Sequence, residues 1–284
     1  MHRVCLNKSE SKSPAVAIGI FDGIHLGHQN IIKELTKHEG SCVFTFNPHP
    51  RPGTKLILPF SERLRILKKL RVSTVLVATS KDKIFKQSAE DFIEATLIKK
   101  LNAKLVIVGE DFKLGKNRET NAKEFKIMCN KYDVEVKIMN DLKYEEQKLS
   151  STFIREQINN ANFTKVEKLL GRRYYIKGIV CKGKGLGQKI GFKTANITPH
   201  KDLMLPAGGV YSVITKIDNS EHKSVCFVGN DPKLIIETHI PGIDVNLYGK
   251  KITISFIKKI RETKRFNSIT DLANAIQEDI KNSV

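Results

Sequence analysis

The chain has 284 residues, 40% of them hydrophobic, and a formal net charge of +19, which suits a real core in one large domain or two ordinary ones. No apolar run approaches the ~20 residues of a membrane span, and residues 1–9 lack the apolar core of a signal peptide. Lysines are spread over every segment without a helix-turn-helix, zinc finger or RNA-stacking motif, so the charge reads more as a solvated surface than as a nucleic-acid footprint; it would also attract polyanionic small substrates and does not by itself decide.

Five cysteines (Cys5, Cys42, Cys129, Cys181, Cys226) are scattered and never form a Cys-x-x-Cys spacing. That usage fits reduced thiols, so a cytoplasmic location is expected. Taken in order, the apolar run from Ala15 reads as a buried strand that breaks at Asp22-Gly23. Residues 28–37 then place Ile31, Ile32 and Leu35 on one helical face. His25 and His28 therefore sit in a glycine-bearing corner between a strand and a helix N-terminus, where free N–H groups and the helix dipole favour an anion. Residues alone leave three readings of the pair: exposed turn histidines, a zinc pair, or a grip on nucleotide phosphate. No cysteine or third histidine lies nearby to complete a zinc site.

Further strands are expected at 42–46, 74–78, 104–108 and 134–139. Helices are expected after Ser61 as N-cap (carrying Leu64, Leu67 and Leu70), after the Ser88/Asp91 capping pair (with Phe92, Ala95 and Ile98 inward), and over 123–132. Strands alternating with helices of this length imply a doubly wound parallel sheet, with ligands beyond the carboxyl ends of the strands. Three such ends carry polar clusters: Asp22 to His28, Asn47-Pro48-His49-Pro50, and Glu110-Asp111-Phe112. Later, Ser150-Ser151-Thr152 precedes a short helix with Arg155. Those hydroxyls serve either as a plain N-cap or, with Arg155, as a second grip on a triphosphate.

The run Gly19-Ile20-Phe21-Asp22-Gly23-Ile24-His25-Leu26-Gly27-His28 resembles the signature of the nucleotidyltransferase module in bacterial bifunctional riboflavin kinase/FAD synthetases. The resemblance implies that Gly19, Phe21, Asp22, His25, His28, Ser151, Thr152 and Arg155 bind ATP. It also implies that Asn47, His49, Asp111 and Phe112 bind the flavin, and that His28 and Asn47 take part in catalysis. His25 and His28 would steady the phosphates while Asp22 orients the loop. Two departures stand out: Leu114 where the family has an aromatic, implying altered flavin packing, and Lys148 where it tends to have Arg.

A helix over 163–170 closes at Gly171, and after Tyr174 the pattern changes. Five short strand candidates (174–181, 209–217, 223–228, 234–240, 252–257) follow without an intervening helix, and a last helix over 271–280 places Leu272, Ile276 and Ile280 on one face. A domain boundary at 170/171 and a small antiparallel barrel carrying that terminal helix are expected. Gly183, Gly185 and Gly187 form either a flexible hairpin connection or a phosphate-wrapping loop. Thr194 and Asn196, two apart on an extended segment, project to one side and offer oxygens that suit Mg²⁺ and phosphate. Glu237 interrupts an apolar strand, as an outward carboxylate or a general base.

This half resembles the riboflavin kinase module through Gly191-Phe192-Lys193-Thr194-Ala195-Asn196, Leu205 to Tyr211, Leu247-Tyr248-Gly249 and Ile260-Arg261-Glu262 with Phe266. Lys193 stands for the family's Pro, Gln188 for Arg, Phe227 for Asn and Lys233 for Thr. The resemblance implies an α/β chain with two modules: a Rossmann-like FMN adenylyltransferase over 1–170 and a β-barrel riboflavin kinase over 171–284. Glu237 would be the base, Thr194 would hold Mg²⁺, and Gly183, Gly185, Gly187, Thr194 and Asn196 would hold the nucleotide. Riboflavin would become FMN and then FAD at the expense of ATP, in a monomer or weak homo-oligomer with no membrane or nucleic-acid partner. Two rivals remain: an adenylyltransferase that has lost the kinase step, and a basic nucleic-acid-binding protein.

Overall fold

The computed structural model describes residues 2–6, 15–183, 187, 191–229, 236–243 and 245–283. It divides into two compact units, Met1–Ser151 and Thr152–Val284. In the first, β1 (His2–Cys5), β2 (Ala15–Ile18), α1 (Leu26–Leu35), β3 (Cys42–Phe46), α2 (Phe60–Lys69), β4 (Thr74–Ala78) and α3 (Ala89–Phe92) come first. Then follow β5 (Leu105–Gly109), the short pair β6 (Lys113–Leu114) and β7 (Thr120–Asn121), α4 (Ala122–Asn130) and β8 (Glu135–Met139). A second short pair, β9 (Lys143–Tyr144) and β10 (Gln147–Lys148), ends the unit.

The main sheet runs β1-β4-β3-β2-β5-β8. Five of its members, β4, β3, β2, β5 and the edge strand β8, are parallel, as the alternating pattern predicts. The edge strand β1 lies antiparallel on β4 and has no counterpart in the sequence reading: four residues carry no usable period, and only pairing with β4 makes them a strand. β2 is buried along its whole length, the continuous apolar run of a strand covered on both faces. The core joins Phe44, Phe92, Phe125, Leu76 and Val106, each large side chain contributing about 1.5–3 kcal/mol by leaving water.

Two helix assignments need correction. α2 starts at Phe60 after Pro59, not after Ser61, and its buried residues are Glu62, Arg63, Ile66 and Leu67, with Leu64 and Leu70 half-buried. The Ser88/Asp91 capping box forms, but α3 widens into a π-helix over Ile93–Ile98. The extra residue per turn rotates the inward face to Phe92, Ile93, Thr96 and Leu97 and leaves Ala95 exposed. α1 also starts earlier than read, at Leu26, which puts His28 inside its first turn.

The second unit opens with α5 (Ser151–Asn159, whose first residue closes the first unit) and α6 (Phe163–Leu170), which ends on Gly171 at φ 67°, a left-handed cap suited to glycine. Six strands close a barrel in the order β11 (Tyr175–Cys181), β12 (Thr194–Ile197), β15 (Ile236–His239), β14 (Ser220–Val228), β13 (Gly209–Ile217) and β16 (Lys251–Arg261). The sequence reading counted five; β12 was missed because four residues interrupted by the polar Thr194 and Asn196 lack the apolar run of the others. Residues 234 and 235 of the strand expected over 234–240 lie outside the described residues. Phe163 of α6 stacks on Phe256 with ring centroids 5.1 Å apart, and Tyr211 meets Phe256 edge-on at 5.4 Å, so α6 belongs to the core beneath the barrel. The terminal helix α7 (Ile269–Lys281) is present, but Leu272, Ile276 and Ile280 are only half-buried. Its buried residue is Asp279, bound bidentately by Arg261 of β16 at 2.8 and 2.7 Å.

Candidate active sites

In the first unit the parallel strands run outward from β2 to β3 and β4 on one side and to β5 and β8 on the other, so the switch point lies between β2 and β5. The loop after β2, carrying both histidines, leaves the sheet there, where such folds bind ligands. Its shape is strained: Phe21 has φ 54° and Ile24 φ 41°, left-handed values unusual for bulky side chains. Gly23, at φ 77°, packs so closely on Ile57 that a Cβ would lie 3.0 Å from its side chain. The buried Asp22 carboxylate accepts N–H groups from Ile57 and Leu58 at 3.1–3.2 Å. Ser151 donates its hydroxyl to the Asp22 carbonyl at 3.0 Å.

His25 caps α1 by accepting the His28 N–H through Nδ1 at 3.3 Å. A neutral His25 therefore keeps its proton on Nε2. The two imidazoles stack with centroids 3.6 Å apart, and Phe21 meets His28 edge-on at 5.2 Å. Nδ1 of His28 is buried without a hydrogen-bond partner. Burial first, then the His25 ring and the Arg63 guanidinium, hold the His28 pKa well below the ordinary histidine value. The result is a neutral His28 imidazole stacked on His25 at a helix N-terminus, a setting that favours an anion.

The Asn47 loop leaves β3 beside this corner, and Asn47 is half-buried with its N–H on the Ala78 carbonyl at 2.9 Å. His49 folds back locally, its Nδ1 accepting from the Arg51 N–H at 3.1 Å. Beyond β5, Asp111 is exposed and ion-paired with Lys148 at 3.3 Å, while Lys148 also holds Asp141 at 2.5 Å. Phe112 packs on Phe125 at 5.0 Å, so its ring is tied to the core. Leu114, where the family has an aromatic, is buried in that core as well. Thr152 is exposed and Arg155 half-buried on α5, in the second unit.

Arg63 was missed by the sequence reading. It is 1% exposed and sends Nη1 to the Ile20 carbonyl at 2.6 Å and Nη2 to the Phe46 carbonyl at 3.3 Å. A usable signal existed: Arg63 lies three residues before Ile66 and four before Leu67, on the apolar side of α2.

In the barrel, Asn196 pairs with Glu237 and Thr194 with His239 across β12 and β15. The Thr194 hydroxyl lies 3.4 Å from Glu237 Oε2. Phe227 of β14 stands opposite Glu237 on the other side, 39% exposed. Beneath this row Cys226 is buried, and burial first, then the Glu237 charge, push its thiol far up, so it stays protonated. A Cβ on Gly183 would collide with the Asn196 amide, and one on Gly187 with the Phe192 carbonyl. The two loop glycines thus admit close approach. Gly185, Gln188 and Lys233 lie outside the described residues. Lys193 keeps its turn by lending its carbonyl to His239 Nδ1 at 2.8 Å. Beside Thr194 and Asn196 opens a cleft of about 260 Å³ that Gly183, Lys193 and Tyr248 help to line.

The FAD synthetase family matches residues 7–153 and the riboflavin kinase family residues 170–284. A bifunctional riboflavin kinase/FMN adenylyltransferase of Haemophilus influenzae is 32% identical over 284 residues, covering 94% of this chain and 92% of its own length. The chain belongs to the bifunctional riboflavin kinase/FMN adenylyltransferase family. The Bacillus subtilis member is 31% identical over 98% of this chain and 94% of its own. A solved structure from Streptococcus pneumoniae, described as a macrolide-efflux protein, is similar at a TM-score of 0.83 and 29% identity, over 98% of this chain and 96% of its own. Among the described residues of the present chain no helix is long and apolar enough to cross a membrane. With both families matched, this chain is an enzyme of flavin cofactor synthesis with riboflavin kinase and FAD synthetase activities, not an adenylyltransferase alone. ATP, riboflavin, FMN and FAD are its substrates and products.

Proposed function

We propose a division of labour in which residues 1–170 carry adenylyl transfer and residues 171–284 carry the kinase. In the kinase, the ribityl hydroxyl of riboflavin gives its proton to Glu237 as its oxygen attacks the γ-phosphorus of ATP, and ADP leaves. In adenylyl transfer, a phosphate oxygen of FMN attacks the α-phosphorus of a second ATP and pyrophosphate leaves. No covalent enzyme intermediate forms, because alignment and charge stabilisation suffice.

The observation that carries this reading is the convergence of Thr194, Asn196 and Glu237 on two neighbouring barrel strands. The Thr194 hydroxyl and Asn196 carbonyl oxygen beside a glycine-lined approach fit Mg²⁺, which keeps much of its shell as water and substrate phosphate. Bound there, Mg²⁺ would neutralise phosphate charge on the nucleotide. In the other module His25 and His28, with the free N–H groups of α1, hold ATP phosphates. Ser151 adds a donor to them, Gly19 and Phe21 shape the loop, and Asn47, His49, Asp111 and Phe112 receive the flavin. The free state of all five cysteines supports action in the cytoplasm, and a monomer or weak homo-oligomer is the assembly we propose.

The test is chromatography of flavins after incubation with ATP, Mg²⁺ and either riboflavin or FMN. Wild-type protein is expected to give FMN and FAD from riboflavin and FAD from FMN. FMN formation at the wild-type rate by a Thr194→Ala/Glu237→Ala double variant would overturn the kinase assignment.

A further inference from the structure

We propose that Arg63 is a positioning residue for adenylyl transfer, clamping the histidine loop and the Asn47 loop at one fixed spacing. This rests on the reading that adenylyl transfer occurs at the His25/His28 corner. The two carbonyls that Arg63 binds are the informative ones. Ile20 is the residue before Phe21, where the histidine loop turns left-handed, and Phe46 is the residue before Asn47. One guanidinium therefore spans the exits of two adjacent parallel strands. Thr45 adds a second donor to the same Ile20 carbonyl at 3.0 Å and lies 3.5 Å from Nη1. On its far side the histidine loop is held by the Asp22 carboxylate on Ile57 and Leu58, just before α2 begins. The first half of the loop is thus held at Ile20 and again at Asp22 by the stretch 57–63, which contains Arg63.

Stability alone does not call for an arginine here. Taking a cation out of water is costly unless it is well paired, and an apolar side chain of similar volume often packs as well or better. Arg63 forms its hydrogen bonds to two carbonyls and the Thr45 hydroxyl, its Nε has no hydrogen-bond partner, and burial pushes its pKa down while the Asp22 charge opposes that shift. The planar fork is what a lysine lacks: only a guanidinium reaches two carbonyls on separate strands while keeping both fixed. Its charge also faces the corner where His28 sits, and helps keep that imidazole neutral. The clamp fixes the distance between the group that holds ATP and the group that holds FMN, which matters for an in-line attack on phosphorus.

The experiment measures FAD formation from FMN and FMN formation from riboflavin for Arg63→Lys, Arg63→Gln, Thr45→Val and His28→Ala, with thermal melting of each. Displacement of reacting groups by an ångström costs up to about 100-fold, so Arg63→Gln is expected to lose about 30-fold or more in kcat for adenylyl transfer. Arg63→Lys should recover part of that, and Thr45→Val should lose about 3-fold, with KM values for ATP and FMN within about 3-fold of wild type. The kinase rate should stay unchanged in all three. Should Arg63→Gln fail to fold, Arg63→Lys and Thr45→Val carry the test. Wild-type adenylyl transfer in the Arg63 variants alongside an impaired His28→Ala would overturn the clamp alone. Equal losses in both reactions, tracking the folded fraction, would also overturn it by assigning Arg63 to stability only. Wild-type FAD formation by His28→Ala would instead remove the site reading on which the clamp depends.

Discussion

The Thr194 hydroxyl lies 3.4 Å from the Glu237 carboxylate, on neighbouring strands of the barrel. The residue proposed to offer oxygen to phosphate is thus in direct reach of the proposed base. Replacing Glu237 with Gln keeps the shape and removes the proton acceptor. FMN formation should fall by about 10²–10⁴-fold, the usual contribution of general acid–base catalysis. FAD formation from added FMN should stay at the wild-type rate, and flavin chromatography separates the two.

The stacked pair His25 and His28 makes a different prediction for the first unit. His28→Ala removes a phosphate donor and the partner of the His25 ring, so adenylyl transfer should drop about 10²-fold, as when one preorganised donor is lost. His25→Ala also removes the N-cap of α1, adding about 1 kcal/mol of instability visible in urea unfolding.

Stability should respond to acid through His28. Its pKa is held down in the fold by burial and by two neighbouring cationic or ionisable groups, His25 and Arg63, while the unfolded chain titrates at about 6.5. Below that value the unfolded state binds a proton that the folded state refuses, so this contribution is intact above pH 6.5 and declines as pH falls toward the depressed folded value. Urea unfolding at pH 7 and pH 5 should show a larger loss for wild type than for His28→Gln. An equal loss in both proteins would count against the buried neutral imidazole.

Asp22→Ala leaves the N–H groups of Ile57 and Leu58 buried without their acceptor. The expected cost is about 1.5–3 kcal/mol, the range for hydrogen bonds to a charged group. Adenylyl transfer should fall with it, since the same carboxylate orients the histidine loop.

In the barrel, Asp279→Ala strips the partner from Arg261, whose side chain is 19% exposed against 4% for Asp279. Loss of one member of a buried pair costs about 3–5 kcal/mol, and partial exposure of Arg261 places this case near the lower end. Thermal melting monitored by circular dichroism measures it, and the melting temperature of the kinase module should fall.

The alternating strands of the first unit were legible because β2, β3, β4 and β5 are unbroken apolar runs, and the change to strands alone after Tyr174 marked the barrel. β1 and β12 were not legible: each has four residues, too few for a period, and exists because a neighbour supplies hydrogen bonds. The π-helical turn after α3 escaped for a related reason, since no local signal separates it from an α-helix until the face it buries is known. Among site residues, the two histidines, Thr194, Asn196 and Glu237 stood out as polar groups interrupting apolar pattern or crowding a turn. Arg63 did not, because a lone arginine on a helix reads as solvated until the strand ends above it are placed.

Sequence by itself determined the two-part organisation, the alternation that makes the parallel sheet, and the chemical types gathered at each strand end, because hydrophobic period and turn chemistry are local. Tertiary structure alone decided that Ile20 and Phe46 present their carbonyls to one guanidinium, and that Asn196 faces Glu237. Those are contacts between residues up to 43 apart in the chain, set by strand order and register. No local rule encodes them, since each depends on where the other segment comes to rest.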